Sequence, residues 1–204
     1  MMLAVTIGAA DLAFTFGSIS TVIWLYLALF RGRFWLANSR LSPEYSQLDT
    51  WPAVAIVIPA RNEQGVIKRT LTSLQNQDYQ GHLSIIVVDD NSEDGTVDEI
   101  QNTTDPETEL LSGRPLPEGW TGKLWALHQG INEIYRRGRP PTFLLLSDAD
   151  IIHPQENVRQ LVLHAEDRAL ELVSLMVRLN CRSAWEVMLI PAFVFFFQKL
   201  FQGF

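Results

Sequence analysis

The chain has 204 residues, a formal charge of −7, 47% hydrophobic residues and one cysteine, Cys181. That length holds one ordinary domain plus an appendage, and the acidic balance excludes a general nucleic-acid binder, which carries a basic surface. A lone cysteine excludes an internal disulfide framework and points to a reducing compartment.

From Leu12 to Phe30 no residue is charged, close to the ~20 residues a helix needs to cross a bilayer core. Trp24 and Tyr26 suit an interface, and Arg31, Arg33 and Arg40 follow, so the positive-inside rule places the rest of the chain in the cytoplasm. A cleaved signal peptide would want positive charge before the apolar run and a small-residue cleavage site after it, and neither is present. Residues 1–30 are therefore expected to be a single-pass anchor in the cytoplasmic (inner) membrane, with a buried helix of a soluble protein as the plainer alternative. Residues 31–52 read as a juxtamembrane linker.

Val54 to Ile58 is a continuous apolar run, the mark of a strand buried on both faces. It ends at Pro59, and Ala60-Arg61-Asn62-Glu63 forms a loop. Gly65 to Gln77 carries Val66, Ile67, Leu71 and Leu74 at helical spacing. A second buried strand, Ile85 to Val88, ends in Asp89-Asp90-Asn91-Ser92, and Gly95-Thr96 opens a helix through Ile100 that Asp90 or Ser92 could cap. Strand–loop–helix alternation predicts parallel strands joined by right-handed crossovers.

Within the loop-like stretch 103–119, Leu110-Leu111 suggests a short edge strand. The segment from Trp120 leads into a helix ending near Arg136-Arg137-Gly138. Phe143 to Ser147 reads as another buried strand, Pro154 to Leu170 as an amphipathic helix, and Leu172 to Leu179 as a further strand. The stretch from Trp185, centred on Ile190-Pro-Ala-Phe-Val-Phe-Phe-Phe197, suits either a helix lying in a membrane interface or a buried core helix.

In open parallel sheets, ligands bind outside the carboxyl ends of the strands. Three predicted strand ends carry polar groups: Asn62-Glu63, Asp89-Asp90 and Asp148-Ala-Asp150. Ionised carboxylates that leave water need compensation, and a divalent cation supplies it. In an extended segment Asp148 and Asp150 would project to one side, roughly 7 Å apart. Oxygen-only ligation favours Mg²⁺ or Mn²⁺. Taken singly, each feature has a plainer reading: paired aspartates cap helices, and Lys123 is a solvated surface charge.

The order of four segments changes that balance. Val57-Ile-Pro-Ala-Arg-Asn-Glu63, Val87-Val-Asp-Asp-Asn-Ser-Glu-Asp-Gly-Thr96, Gly122-Lys-Leu-Trp-Ala-Leu127 and Leu146-Ser-Asp-Ala-Asp150 together resemble the family 2 glycosyltransferases of the α/β GT-A fold, over about Val54 to Leu179. Gly119-Trp-Thr-Gly-Lys-Leu-Trp-Ala126 and the Phe-rich tail are similar to the membrane-bound, hopanoid-biosynthesis-associated branch. The resemblance implies a donor-binding domain over 53–182, with 183–204 beginning a further half. It implies a nucleotide-diphosphate sugar donor, usually UDP-linked, and a lipid-like acceptor. Pro59, Glu63, Asp89, Asp90, Lys123 and Asp148 fall at nucleotide-sugar-binding positions, and Asp148 and Asp150 form the Asp-x-Asp metal pair. A carboxylate such as Glu63 or Asp90 can accept a hydrogen bond from uracil N3–H.

One departure counts against turnover. The family's catalytic base is a downstream carboxylate, and its membrane-bound members carry a later Gln-x-x-Arg-Trp. After Asp150 the acids are Glu156, Glu166, Asp167, Glu171 and Glu186, none in that context. The expectation is the donor-binding half of a longer enzyme, which binds donor and metal at most weakly and does not turn over. A non-catalytic, membrane-anchored nucleotide-sugar-binding protein is the rival reading. A receiver-like phosphoacceptor domain fails because a complete strand–helix unit precedes Asp89-Asp90. A dinucleotide-binding domain would need a Gly-x-Gly-x-x-Gly after Ile58.

Overall fold

A computed structural model describes residues 8–30, 41, 48–103, 105–138 and 140–200. In chain order the elements are α1 (Ala9–Phe30), β1 (Val54–Ala60), α2 (Ile67–Gln75), β2 (Leu83–Asp89), α3 (Thr96–Gln101), β3 (Thr108–Ser112), α4 (Gly122–Arg136), β4 (Phe143–Leu146), α5 (Asn157–Asp167) and α6 (Ala184–Leu200). They fall into two units, Leu41–Val177 and the two terminal segments Met1–Arg40 with Arg178–Phe204.

The first unit is built on a four-stranded sheet of order β3-β2-β1-β4. Every pairing is parallel, as the strand–helix alternation requires. β1 is apolar along its length because both its faces are covered. One face, with Val54, Ile56, Ile58 and Val87, packs against Ile67, Leu71 and Leu74 of α2, Ile100 of α3 and Val158 and Val162 of α5. The other, with Ala55, Val57, Ile86 and Val88, packs against Ala126 and Ile134 of α4. Gly130 lets α4 sit close, since a Cβ there would come 2.5 Å from Val57 Cγ1. Helices thus cover both faces of a parallel sheet. β3 is the edge strand anticipated at Leu110-Leu111.

Three expectations are corrected. β4 is an edge strand, half-buried rather than enclosed, and Leu146 and Ile152 are 50% and 60% exposed. An apolar run of four residues can serve an edge as well as a centre, so the run alone did not place it. Residues 172–179 form no strand. A strand needs a ladder partner for its N–H and C=O groups, and this stretch, with Leu172 85% exposed, has none among the described residues. Neither Asp90 nor Ser92 caps α3. Asp94 Oδ1 accepts the Thr96 N–H at 2.9 Å instead, and Ser92 Oγ accepts the N–H of Asn62 at 3.0 Å.

In the second unit, α1 is the one described helix long and apolar enough to cross a membrane, with a mean hydropathy of 1.4 over Ala10–Leu27. Its described side chains are almost all exposed. α6 opens on a capping box: Ser183 Oγ accepts the Glu186 N–H at 3.2 Å, and Glu186 Oε2 accepts the Ser183 N–H at 2.8 Å. Trp185, Val187, Met188, Leu189, Phe193 and Phe196 of α6 are exposed. Most of the predicted linker, residues 31–40 and 42–47, lies outside the described residues.

Candidate functional site

Strand register brings the polar loops to one edge. Ala60 lies beside Asp89, and Asp89 beside Ser112, so β1, β2 and β3 end level. β4 ends earlier, with Leu146 beside Val57. Ser147 donates its N–H to Val57 O, which carries the ladder one step further before the acids begin.

At this edge a cleft of about 460 Å³ opens. Of the residues singled out in the sequence, Pro59, Glu63, Asp90, Lys123, Asp148 and Asp150 line it. Asp89 does not. Its carboxylate is buried and accepts the Ser92 N–H at 3.3 Å, closing the turn after β2. The shared cleft does not arise from strand alternation, because β4 stops at Leu146 and Ala149-Asp150 form a turn.

The loops after β1 and β2 are stitched to each other. Asn62 and Asn91 adopt φ values of 55° and 57°, left-handed conformations that Asn tolerates. Asn62 Oδ1 accepts the Glu93 N–H at 2.8 Å, and the Glu63 N–H donates to Thr96 Oγ1 at 2.7 Å. Glu63 is thereby fixed at the cleft by its backbone, leaving its carboxylate to face the other acids.

Charge is unevenly balanced here. Lys123 Nζ lies 2.6 Å from Asp148 Oδ1, and Arg61 Nη1 lies 3.5 Å from Asp90 Oδ2. Asp150 is exposed and has no ion-pair partner among the described residues. Glu63 has its pKa raised, first by burial and then by the negative charges of Asp150, Asp94 and Asp148. Hydrogen bonds from Thr96 hold Asp94 below the usual carboxylate range, so it stays charged. A cation at Asp150 would relieve this surplus. Among the described residues, no group of three or more His, Cys, Asp or Glu side chains could hold a metal. The cleft could give a cation only one or two carboxylate oxygens, a donor set suited to a hard cation that keeps most of its water.

Arg61, Gly122 and Ala149 also line the cleft, and their types alone did not mark them. Gly122 had a readable signal, a glycine opening a helix, where backbone can approach closely. A Cβ on it would lie 2.5 Å from Asp90 Oδ2. None of Glu156, Glu166, Asp167 and Glu171 lines the cleft, and Glu186 is engaged in capping α6.

"Probable glycosyltransferase YdaM" of Bacillus subtilis (strain 168) is 32% identical over 123 residues, covering 55% of this chain and 29% of that protein. The "GalNAc(5)-diNAcBac-PP-undecaprenol beta-1,3-glucosyltransferase" of Campylobacter jejuni is 41% identical over 51 residues, covering 25% of this chain and 16% of that protein. The matched region thus spans less than a third of either relative. Among solved structures, the mannosyltransferase PcManGT of Pyrobaculum calidifontis, in complex with GDP-Man and Mn²⁺, superposes with a TM-score of 0.48 at 21% identity, covering 73% of this chain and 41% of that one. The sequence profile of glycosyl transferase family 2 matches residues 55–202, from β1 through α6. That match covers most of the chain, and with it the parallel α/β sheet and its helices, so this chain belongs to glycosyl transferase family 2.

Proposed function

We propose that this chain carries the donor site of a glycosyltransferase that moves a sugar from a nucleotide diphosphate, UDP by preference, to a lipid-like acceptor at the cytoplasmic face of the inner membrane. The carrying observation is that Glu63, Asp90, Lys123 and the pair Asp148 and Asp150, from four separate segments, line one cleft at the carboxyl edge of a parallel sheet. Glu63 and Asp90 offer acceptors to the N3–H of a uracil and to ribose hydroxyls. Lys123 and the first turn of α4 face the diphosphate. Thr121 makes no side-chain cap there, so backbone N–H groups remain to receive an anion. Asp150, with Asp148, would hold Mg²⁺ or Mn²⁺, whose charge stabilises the leaving diphosphate.

The lipid acceptor is supported by α1, which suits a single-pass anchor, and by the Campylobacter relative, whose name gives an undecaprenol-linked substrate. The Gly119–Ala126 segment and the Phe-rich α6 favour the hopanoid-associated branch. A binding-only protein is the second reading, favoured by the absence of the downstream acids from the described cleft.

Calorimetric titration of the detergent-solubilised chain with UDP, GDP and CDP, with and without Mn²⁺, tests the donor reading. UDP binding that strengthens with Mn²⁺ and loses that gain in Asp150→Ala is the expected result. Equal UDP binding by both proteins would remove the metal assignment.

A further inference from the structure

The turn that carries Asp148 and Asp150 is anchored from behind by α2. Thr72, on the exposed side of that helix, donates its hydroxyl to Lys68 O, the ordinary bond to the preceding turn. Thr70 does not. It is fully buried, and its Oγ1 donates across to Ala149 O at 2.7 Å, the carbonyl between the two acids. Ala149 itself is only 3% exposed, so the middle of the turn is locked in the interior while the flanking carboxylates face the cleft.

The far end of the same loop is held by a second bond from α2. Ser73 Oγ accepts the His153 N–H at 3.0 Å while donating to Thr70 O at 2.7 Å. The His153 ring spans the loop, with Nε2 2.9 Å from Ser147 Oγ and Nδ1 3.0 Å from Asn157 Nδ2. Ser147 is buried, is not among the cleft residues, and donates its hydroxyl to Asp148 O at 3.2 Å. The Ser–His–Asn set is therefore a brace, not a nucleophile and its base.

We propose that Thr70 is a positioning residue for cation-dependent donor binding: its buried hydroxyl fixes the Ala149 carbonyl, and with Ser73 at His153 it sets the geometry in which Asp148 and Asp150 meet the metal and diphosphate. The proposal rests on the donor-site reading above. Groups that orient metal ligands from behind typically change metal affinity about 10–100-fold when removed. Thr70→Val keeps the shape of the side chain and strands a buried carbonyl, whereas Thr70→Ser keeps the donor.

UDP titrations with and without Mn²⁺, beside thermal unfolding, on wild type, Thr70→Val, Thr70→Ser and Asp150→Ala decide the matter. The expected result is that Thr70→Val lowers the Mn²⁺-dependent gain in UDP affinity about tenfold or more, leaves metal-free UDP affinity unchanged, and is rescued in Thr70→Ser. A wild-type gain in Thr70→Val, with the gain lost in Asp150→Ala, overturns the positioning role and leaves the donor site standing. Equal losses with and without metal show a structural tie only and overturn it too. No gain in wild type removes both. Should Thr70→Val fail to fold, Ser73→Ala decides: a selective loss of the Mn²⁺ gain supports the proposal, and a full gain overturns it.

Discussion

Glu63 reports the charge state of the whole cleft. Its pKa lies above the ordinary 4.5, through burial first and then the fields of Asp150, Asp94 and Asp148. Between those two values the folded chain keeps a proton that the unfolded chain has released. Stability from this residue therefore falls as pH rises through that window. Asp150→Asn removes the largest of these charge effects, so the Glu63 carboxyl should titrate closer to its ordinary value. Carboxyl-detected ¹³C NMR would show this, and a Glu63 that titrates as in the wild type would mean that Asp150 does not raise it. Gly122 makes a complementary case. Its missing Cβ leaves room for Asp90 Oδ2, and α4 is pinned further along by the close approach of Gly130 to Val57. Gly122→Ala must then displace the Asp90 carboxylate. A hydrogen bond to a charged group contributes ~1.5–3 kcal/mol, so UDP affinity should drop about tenfold or more, with and without Mn²⁺. That indifference to metal separates Gly122 from Thr70.

At the level of elements, legibility followed burial. β1 and β2 could be read because both their faces are covered, which leaves a continuous apolar run that few other structures produce. β4 could be found but not placed, since four apolar residues do not tell an edge from a centre. Leu172–Leu179 has strand-like composition, yet pairing is a property of neighbours, and the composition carried no information about them. The acids after β4 were recognisable as a pair, whereas their turn and its bond to Thr70 join residues 79 positions apart. Tyr79, between α2 and β2, was likewise silent in the sequence. Its hydroxyl donates to Pro52 O at 2.6 Å, and its ring meets Trp51 edge-on at 5.3 Å. Burial, then the charge of Glu166, pushes its pKa from 10.0 up to about 12. The neutral phenol is favoured in the folded state, so this contribution is complete below pH 10 and is lost as pH climbs towards about 12. Tyr79→Phe should cost about 0.5–1.5 kcal/mol at neutral pH and flatten the alkaline fall in stability. Denaturant unfolding between pH 8 and 12, a range set by the ordinary pKa of about 10, measures both effects. An unchanged alkaline slope in the variant would assign it to another group.

Across the whole molecule, the residues lining the cleft were largely recoverable because loops after parallel strands must gather at one edge, whatever the details of their turns. The acidic composition and the two apolar ends have a different logic. α1 has 22 residues, enough to span, and α6 has 17 with Pro191 inside it. A helix that spans needs ~20 apolar residues, so α1 meets that length and α6 falls short of it. An interfacial helix detaches far more readily than a spanning one. Ile19 and Val22 lie near the middle of α1 and are 51% and 65% exposed, so changing them removes little internal packing. An arginine at the centre of a spanning helix costs about 2.5–3.5 kcal/mol by insertion scales, and two should abolish stable insertion. The wild-type chain is expected to stay with membranes through alkaline carbonate washing. The Ile19→Arg, Val22→Arg variant should stay with them only at neutral pH and low salt, held by α6, and be released by carbonate. Retention of the double variant after carbonate would move the anchor from α1 to α6. Loss of the variant from membranes even at neutral pH would leave α6 with no membrane role of its own.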